Sequence, residues 1–287
     1  MAKKQKLRIF NDATAIVTGG ASGFGRAVAE GLAKRGSEVV ILDLQKEAAE
    51  ETASKINSKN GKATAIQADA TDFPQVQRIV DETCERTGRI DYIFNIAGIV
   101  ISGQAHQLGI EDWNKIIGIN FCGVVNGVQA AYPIMVKQGF GHIVNMSSIA
   151  GLLPLPGAVA YTATKHAVVG LSKALRIEGA IHGIRVSVLC PGALRTPLLM
   201  ENGGKFGQVK LGISSEEMTE IAEKLRPMPP EQYAEKVLNA VARNKAIFTG
   251  RPDWQFGYQL NRFYPIFSMT VSRLFFKNAL KKAGLLH

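Results

Sequence analysis

Short apolar runs alternate with longer mixed segments along most of the chain. Residues 13–17 (ATAIV) suit a strand, and residues 26–35 place Val28, Ala29, Leu32 and Ala33 on one helical face, with Gly36 as its stop. The pairing then recurs. Residues 38–43 (EVVILD) read as a buried strand and 45–58 as a polar helix. Residues 63–67 form a third strand, and Asp72 is placed to cap a helix running to residue 86. Strands at 89–94, 141–146, 183–190 and 246–249 follow, with helical patterns at 110–138 (one long helix or a pair) and 161–180. Alternating strands and helices predict an α/β fold. Its parallel sheet is covered on both faces and receives ligands at the carboxyl ends of its strands.

Residues with chemical potential fall at those ends. The first strand runs into Thr18-Gly19-Gly20-Ala21-Ser22-Gly23-Phe24-Gly25 and then a helix, which brings main-chain N–H groups to a phosphate. Glycine is required there because a Cβ would hold a pyrophosphate away from the backbone. Asp43 closes the second strand, about twenty residues past the glycines, where a carboxylate accepts both hydroxyls of an adenosine ribose and repels a 2′-phosphate. That favours NAD over NADP. Tyr161 and Lys165, four apart, share a helical face, and an ammonium beside a phenol favours the phenolate. Ser148 ends the strand before them and is placed to polarise a substrate oxygen.

Composition narrows the setting. The 287 residues carry 46% apolar and 20% charged side chains, as a soluble α/β domain does. Cys84, Cys122 and Cys190 make no CxxC pair, so neither a disulfide framework nor a metal site is expected, and the compartment is read as reducing and cytoplasmic. The N-terminus shows no signal-peptide pattern. A net charge of +10 fits an anionic cofactor, an acidic partner or a membrane surface, but no nucleic-acid module is present. His106, His142, His166 and His182 read as surface or packing residues.

Taken together, TGGASGFG at 18–25, Asp43, Asp69, NIAG at 95–98, Asn120, Ser148, Tyr161-x-x-x-Lys165 and Pro191-Gly192 with Thr196 resemble the short-chain dehydrogenase/reductase family in order and spacing. The resemblance covers roughly residues 10–250. It implies a doubly wound Rossmann sheet, a nicotinamide cofactor and reversible hydride transfer between an alcohol and a carbonyl. Tyr161 is then the general acid/base, Lys165 lowers its pKa and binds the nicotinamide ribose, and Ser148 binds the substrate oxygen. Asn120 holds, through its backbone, the water linking Lys165 to solvent. Gly19, Ser22, Phe24 and Gly25 face the phosphates, Asp43 the ribose, and Asp69 and Ala70 the adenine. Asn95, Ala97 and Gly98 flank the cofactor. Pro191, Gly192 and Thr196 meet its carboxamide or pyrophosphate. The family often has asparagine where this chain has Ile96, which puts the local geometry there in question.

Relatives often end soon after the last strand. Here residues 251–287 continue, with Trp254, Phe256, Tyr258, Phe263, Tyr264, Phe267, Phe275 and Phe276 among Arg262, Arg273, Lys277, Lys281 and Lys282. We take 1–250 as the catalytic domain and 251–287 as an extension. The extension packs on protein, over the substrate cleft or at a subunit contact, or rests on an anionic membrane as a peripheral contact. A lid at about 193–230 carries Leu194, Leu198, Leu199, Met200, Phe206, Val209, Leu211 and Ile213, with Gly203, Gly204 and Gly207 as hinges. Its apolar anchors, with 151–156 as a second wall, predict a hydrophobic secondary alcohol or ketone of steroid, retinoid or fatty-acyl type. The alternatives are an NADPH-dependent 3-oxoacyl-(acyl carrier protein) reductase and a non-catalytic NAD-responsive protein. By the resemblance, a homodimer or homotetramer builds on 110–138 and 161–180.

Overall fold

Period-two alternation along the strands sends consecutive side chains to opposite layers of the molecule. The computed structural model describes residues 6–200, 207–212, 215–282 and 286. In chain order the first half consists of β1 (Thr14–Thr18), α1 (Gly23–Lys34), β2 (Glu38–Asp43), α2 (Lys46–Asn57), β3 (Lys62–Gln67), α3 (Phe73–Thr87), β4 (Tyr92–Asn95), β5 (Ile101–Ser102), α4 (Ile110–Ile117) and α5 (Gly123–Gln138). The second half adds β6 (Gly141–Met146), α6 (Val159–Ile181), β7 (Ile184–Leu189), α7 (Pro197–Met200), β8 (Gln208–Val209), α8 (Ser215–Lys224), α9 (Pro230–Ala242), β9 (Ile247–Phe248), α10 (Pro252–Phe263) and α11 (Pro265–Lys282).

Seven strands form one parallel sheet in the order β3-β2-β1-β4-β6-β7-β9. Ala15 and Val17 of β1, Val39 and Ile41 of β2, and Tyr92 and Phe94 of β4 pack beneath α1, α2 and α9. Ile16, Val40, Leu42, Ile93 and Ile143 face the other way, against α3, α5 and α6. The sheet is therefore doubly wound, as expected. Its order reverses between β1 and β4, and such a reversal opens a crevice at the carboxyl ends of the strands.

Local features depart from the expectation or sharpen it. The strand predicted at 89–94 begins only at Tyr92, because the Gln138 side chain takes the main chain of Ile90, accepting from its N–H at 2.8 Å and donating to its carbonyl at 2.9 Å. Beside it, Arg89 and Asp91 form a buried bidentate ion pair at 2.7 and 2.5 Å. Asp91 also accepts from the main-chain N–H of Thr14, tying β4 to β1 at 3.0 Å. The 110–138 pattern is a pair of helices separated by a π-helical turn, Gly118–Cys122. That stretch has the length and apolarity of a membrane span, but Val124, Val128, Ala131 and Met135 of α5 pack into the core. Finally, β5 pairs with β8 in a separate two-stranded ladder, which anchors the segment after β7. Phe206, Gly203, Gly204 and Ile213, assigned to that segment from sequence, lie outside the described residues.

Candidate active site

One continuous cavity of about 1430 Å³ runs across the carboxyl ends of β1, β2, β4 and β6. Its first wall is main chain. Gly19 has φ +69°, and a Cβ there would stand 2.8 Å from the Ala97 backbone. A Cβ on Gly25 would run into the Gly19 carbonyl oxygen. Ser22 precedes α1 without capping it, so the first N–H groups of that helix keep no side-chain partner. Donors without acceptors beside a floor that admits only glycine fit the pyrophosphate of a dinucleotide.

Asp43 stands at the end of β2 and accepts from the N–H groups of Ala21 and Gln45, each at 3.0 Å. These bonds fix the carboxylate at the cavity edge, between Leu42, Leu44 and Gln45, none of them cationic. Asp69 and Ala70 line the cavity beyond it, and the Asp69 carboxylate receives both N–H and O–H of Thr71 at 2.8 Å. Ser22, Phe24, Ala97, Gly98, Pro191, Gly192 and Thr196 line the same space.

Asn95 does not reach it, contrary to the sequence reading. Its position on β4 turns the side chain into the layer beneath α5, where it donates to Asn145 at 2.8 Å. Asn145 in turn donates to Ser172 at 3.0 Å, and the Asn95 carbonyl oxygen is left without a partner against Gly127. Strand alternation dictates this: Asn95 follows Ile93 to the α5 side. The Ile96 position, where an asparagine was expected, is held from outside. Thr18 Oγ1 accepts from the N–H groups of Ile96 at 3.0 Å and Ala97 at 3.3 Å. Thr18 opens the glycine-rich motif, but its support of the Ile96 turn, like the role of Asn145, carried no sequence signal, since each acts through a partner on another strand or helix.

The reactive end is assembled from β6, α6 and the π turn. Ser148 follows β6 and accepts from the Ala150 N–H at 3.1 Å, holding its hydroxyl beside Tyr161. Ser147 also lines the cavity, but its hydroxyl donates to the Lys165 carbonyl at 2.8 Å, so Ser148 is the serine whose hydroxyl stands beside Tyr161. Lys165 Nζ donates to the Met146 carbonyl at 3.1 Å and lies 5.5 Å from the Tyr161 ring centre. Asn120 lies behind the cavity wall. Its amide clamps Ile99, accepting from N–H at 2.8 Å and donating to C=O at 2.9 Å. A Cβ on Gly98 would stand 3.1 Å from Asn120 Oδ1 and 3.5 Å from Lys165 Nζ, so a side chain there would crowd both.

The electrostatics differ from the first expectation for Tyr161. Burial pushes its phenol up to about 12, with the Ser148 hydrogen bond pulling the other way. Burial also lowers Lys165 to about 8, which weakens the cation that was expected to dominate. In the protein alone, desolvation sets the direction of both shifts. His142 is the packing residue that the sequence implied: it is buried against Ser187 at 2.9 Å, and burial lowers its pKa to about 3.

The opposite wall is apolar. Leu153, Leu155, Ala158, Leu194, Leu198, Leu199, Val209 and Leu225 line the same cavity as Ser148 and Tyr161. Trp254 and Gly257 of α10 line it too. The Trp254 ring covers Gly192 and meets Tyr233 at 6.5 Å, while Asn261 donates to the Leu152 carbonyl at 3.0 Å. Opposite, Lys210 beside β8 pairs with Asp112 of α4 at 2.5 Å and holds the β5–β8 ladder in place.

Residues 13–205 match the family described as short chain dehydrogenase. The chain is 39% identical over 184 residues to 2,5-dichloro-2,5-cyclohexadiene-1,4-diol dehydrogenase of Sphingobium indicum, covering 64% of this chain and 74% of that one. It is 32% identical over 242 residues to cyclohexanol dehydrogenase of an Acinetobacter species, covering 84% and 92%. Among solved structures, a short chain dehydrogenase/reductase from Burkholderia phymatum in complex with NAD superposes with a TM-score of 0.78 at 27% identity. It covers 89% of this chain and 94% of that one.

Proposed function

The chain belongs to the short-chain dehydrogenase family and is an oxidoreductase of CH–OH donors that uses a nicotinamide dinucleotide; from that premise we propose that it uses NAD(H) to interconvert a hydrophobic secondary alcohol and its ketone. The observation that supports this reading is the polarity of the one cavity. Its adenosine end carries the Asp43 carboxylate with no cation next to it, and its tyrosine end is walled by aliphatic side chains. A 2′-phosphate beside Asp43 would be repelled, whereas ribose hydroxyls can donate to it. The apolar wall suits a steroid-, retinoid- or fatty-acyl-like substrate, and the alicyclic alcohols in the relatives' names are compatible with the same wall.

In this reading the dinucleotide, held by the 18–25 turn, Asp43, Gly98 and Lys165, supplies or accepts the hydride. Tyr161 gives the substrate oxygen its proton on reduction and removes it on oxidation. Ser148 donates a hydrogen bond to that oxygen as charge develops on it. Lys165 returns a proton to Tyr161 on reduction and carries one away from it on oxidation, and we assign the link from Lys165 to solvent to Asn120. The three unpaired cysteines suit a reducing, cytoplasmic setting. Ile177 and Ile181, 75% and 84% exposed on α6, support self-association through that helix.

Titrating the protein with NADH and NADPH by nicotinamide fluorescence tests the reading. NADH should bind ~10-fold or more tightly, and Asp43→Ala should narrow that gap. Tyr161→Phe should keep NADH binding and lose turnover of cyclic and long-chain alcohols. Tighter NADPH binding would refute the Asp43 assignment and favour the carrier-protein reductase.

A further inference from the structure

Helix α11 carries apolar side chains on two sides, and the protein covers only one of them. Phe276 lies against Gly157 and Leu280 is buried, while Met269, 60% exposed, borders the Pro154–Pro156 turn. About half a turn away around the helix, Phe267, Leu274 and Phe275 are exposed, and Phe263, Tyr264 and Ile266 extend the patch to the start of the helix. Phe275 is 73% and Ile266 80% exposed. A soluble surface seldom gathers so many large apolar groups without a use.

The charge around the patch identifies what covers it. The only acid in the extension, Asp253, is paired with Arg251 at 2.7 Å, and 254–287 contains no Asp or Glu. Arg262, Arg273, Lys277 and Lys281 stand exposed along the same two helices. A second copy of this face would bring like charges together, which disfavours self-docking. An anionic lipid surface accepts both features at once. Aromatic and aliphatic side chains enter the headgroup boundary, and lysines and arginines meet the phosphates.

We propose that α11 is a peripheral docking helix that seats this protein on an anionic membrane through Phe267, Leu274 and Phe275, flanked by Lys277 and Lys281. The docking face lies next to the catalytic cleft. The loop on which α11 rests contributes Leu153 and Leu155 to the cavity, and α10, which precedes it, contributes Trp254 and Gly257. A membrane-dissolved substrate would therefore meet the cleft near its source. The docking inference stands whether or not the proposed substrate class is right, since it is read from binding alone.

The full chain is sedimented with phosphatidylcholine vesicles, with and without phosphatidylglycerol. Two variants accompany it: Phe267→Ser/Leu274→Ser/Phe275→Ser, which removes the apolar face, and Lys277→Glu/Lys281→Glu, which reverses the charge. NADH binding reports that each variant is folded. Binding to anionic vesicles at least ~10-fold tighter than to neutral ones, lost in both folded variants and weakened by salt, is the expected result. Absence of vesicle binding, equal binding to neutral vesicles, or full binding by either variant overturns it. A wild-type oligomer that the serine variant dissociates, without vesicle binding, would assign the face to a second copy instead.

Discussion

The two walls of the cleft are made of different material. The wall that receives the dinucleotide is largely main chain, drawn from 18–25 and the ends of β1, β2 and β4, with Asp43 as its chief side-chain charge. The facing wall is side chain. It collects Leu153 and Leu155 from one loop, Leu198 and Leu199 from α7, Val209 from β8 and Trp254 from α10. Main chain offers the same donors whatever the residue, provided no Cβ intervenes, so a few glycines specify the first wall. The second depends on which side chains arrive and how their carriers are tethered. Changes there alter what is recognised without altering how the cofactor is held.

The largest expected effect comes from placing a Cβ in the first wall. Gly25→Ala drives that carbon into the Gly19 carbonyl, so the turn must open. We expect about 3 kcal/mol of stability to be lost in urea unfolding and NADH affinity to fall roughly 100-fold. Wild-type affinity in this variant would break the contrast between the walls.

Lys165, where the walls meet, gives the next effect. Its pKa is lowered from 10.5 to about 8 on folding. Between those values the unfolded chain still binds the proton that the folded chain has released. The Lys165 contribution to the stability of the unliganded protein therefore rises with pH from about 8, by about 1.4 kcal/mol per unit, and above pH 9 the buried Cys190 thiol, raised from 9.0 to about 12, opposes it. Tyr161, raised from 10.0 to about 12, acts in the opposite sense above pH 10, where the unfolded phenol ionises first. Lys165→Met should remove the rise, and urea midpoints measured across this range give the check.

The smallest effect belongs to the second wall. Trp254→Ala removes a ring that covers Gly192 and packs on Tyr233. Losing aromatic contacts of about 0.5–1.5 kcal/mol should raise KM for a hydrophobic alcohol roughly three- to tenfold. NADH affinity should change less than KM, and the reverse order would place Trp254 in the cofactor wall.

Legibility from sequence follows the same division. The glycine turn, Asp43 and the Tyr161–Lys165 pair are local patterns, and the structure brings them to one cavity. Asn95 was misplaced because its motif neighbours Ala97 and Gly98 do line the cleft, while the β4 alternation turns Asn95 itself to the other layer. The pairing of β5 with β8 left no trace, since two-residue strands are too short to show a period. The Gln138 side chain, which occupies the main chain of Ile90, shortens what reads in sequence as a continuous strand.

By itself, then, the sequence determined the alternation of strands and helices, the glycine cradle, the acid at the end of β2 and the Tyr161–Lys165 pair. Each depends on spacing within one element or across one turn, and such spacing is fixed by backbone geometry. Only the tertiary structure decided that Thr18 supports the Ile96 turn, that Asn120 clamps Ile99, that Trp254 closes the cleft, and that burial sets the direction of the Tyr161 shift. Those outcomes depend on distances between residues far apart in the chain and on how much water is excluded around them. Neither quantity exists until the layers have packed.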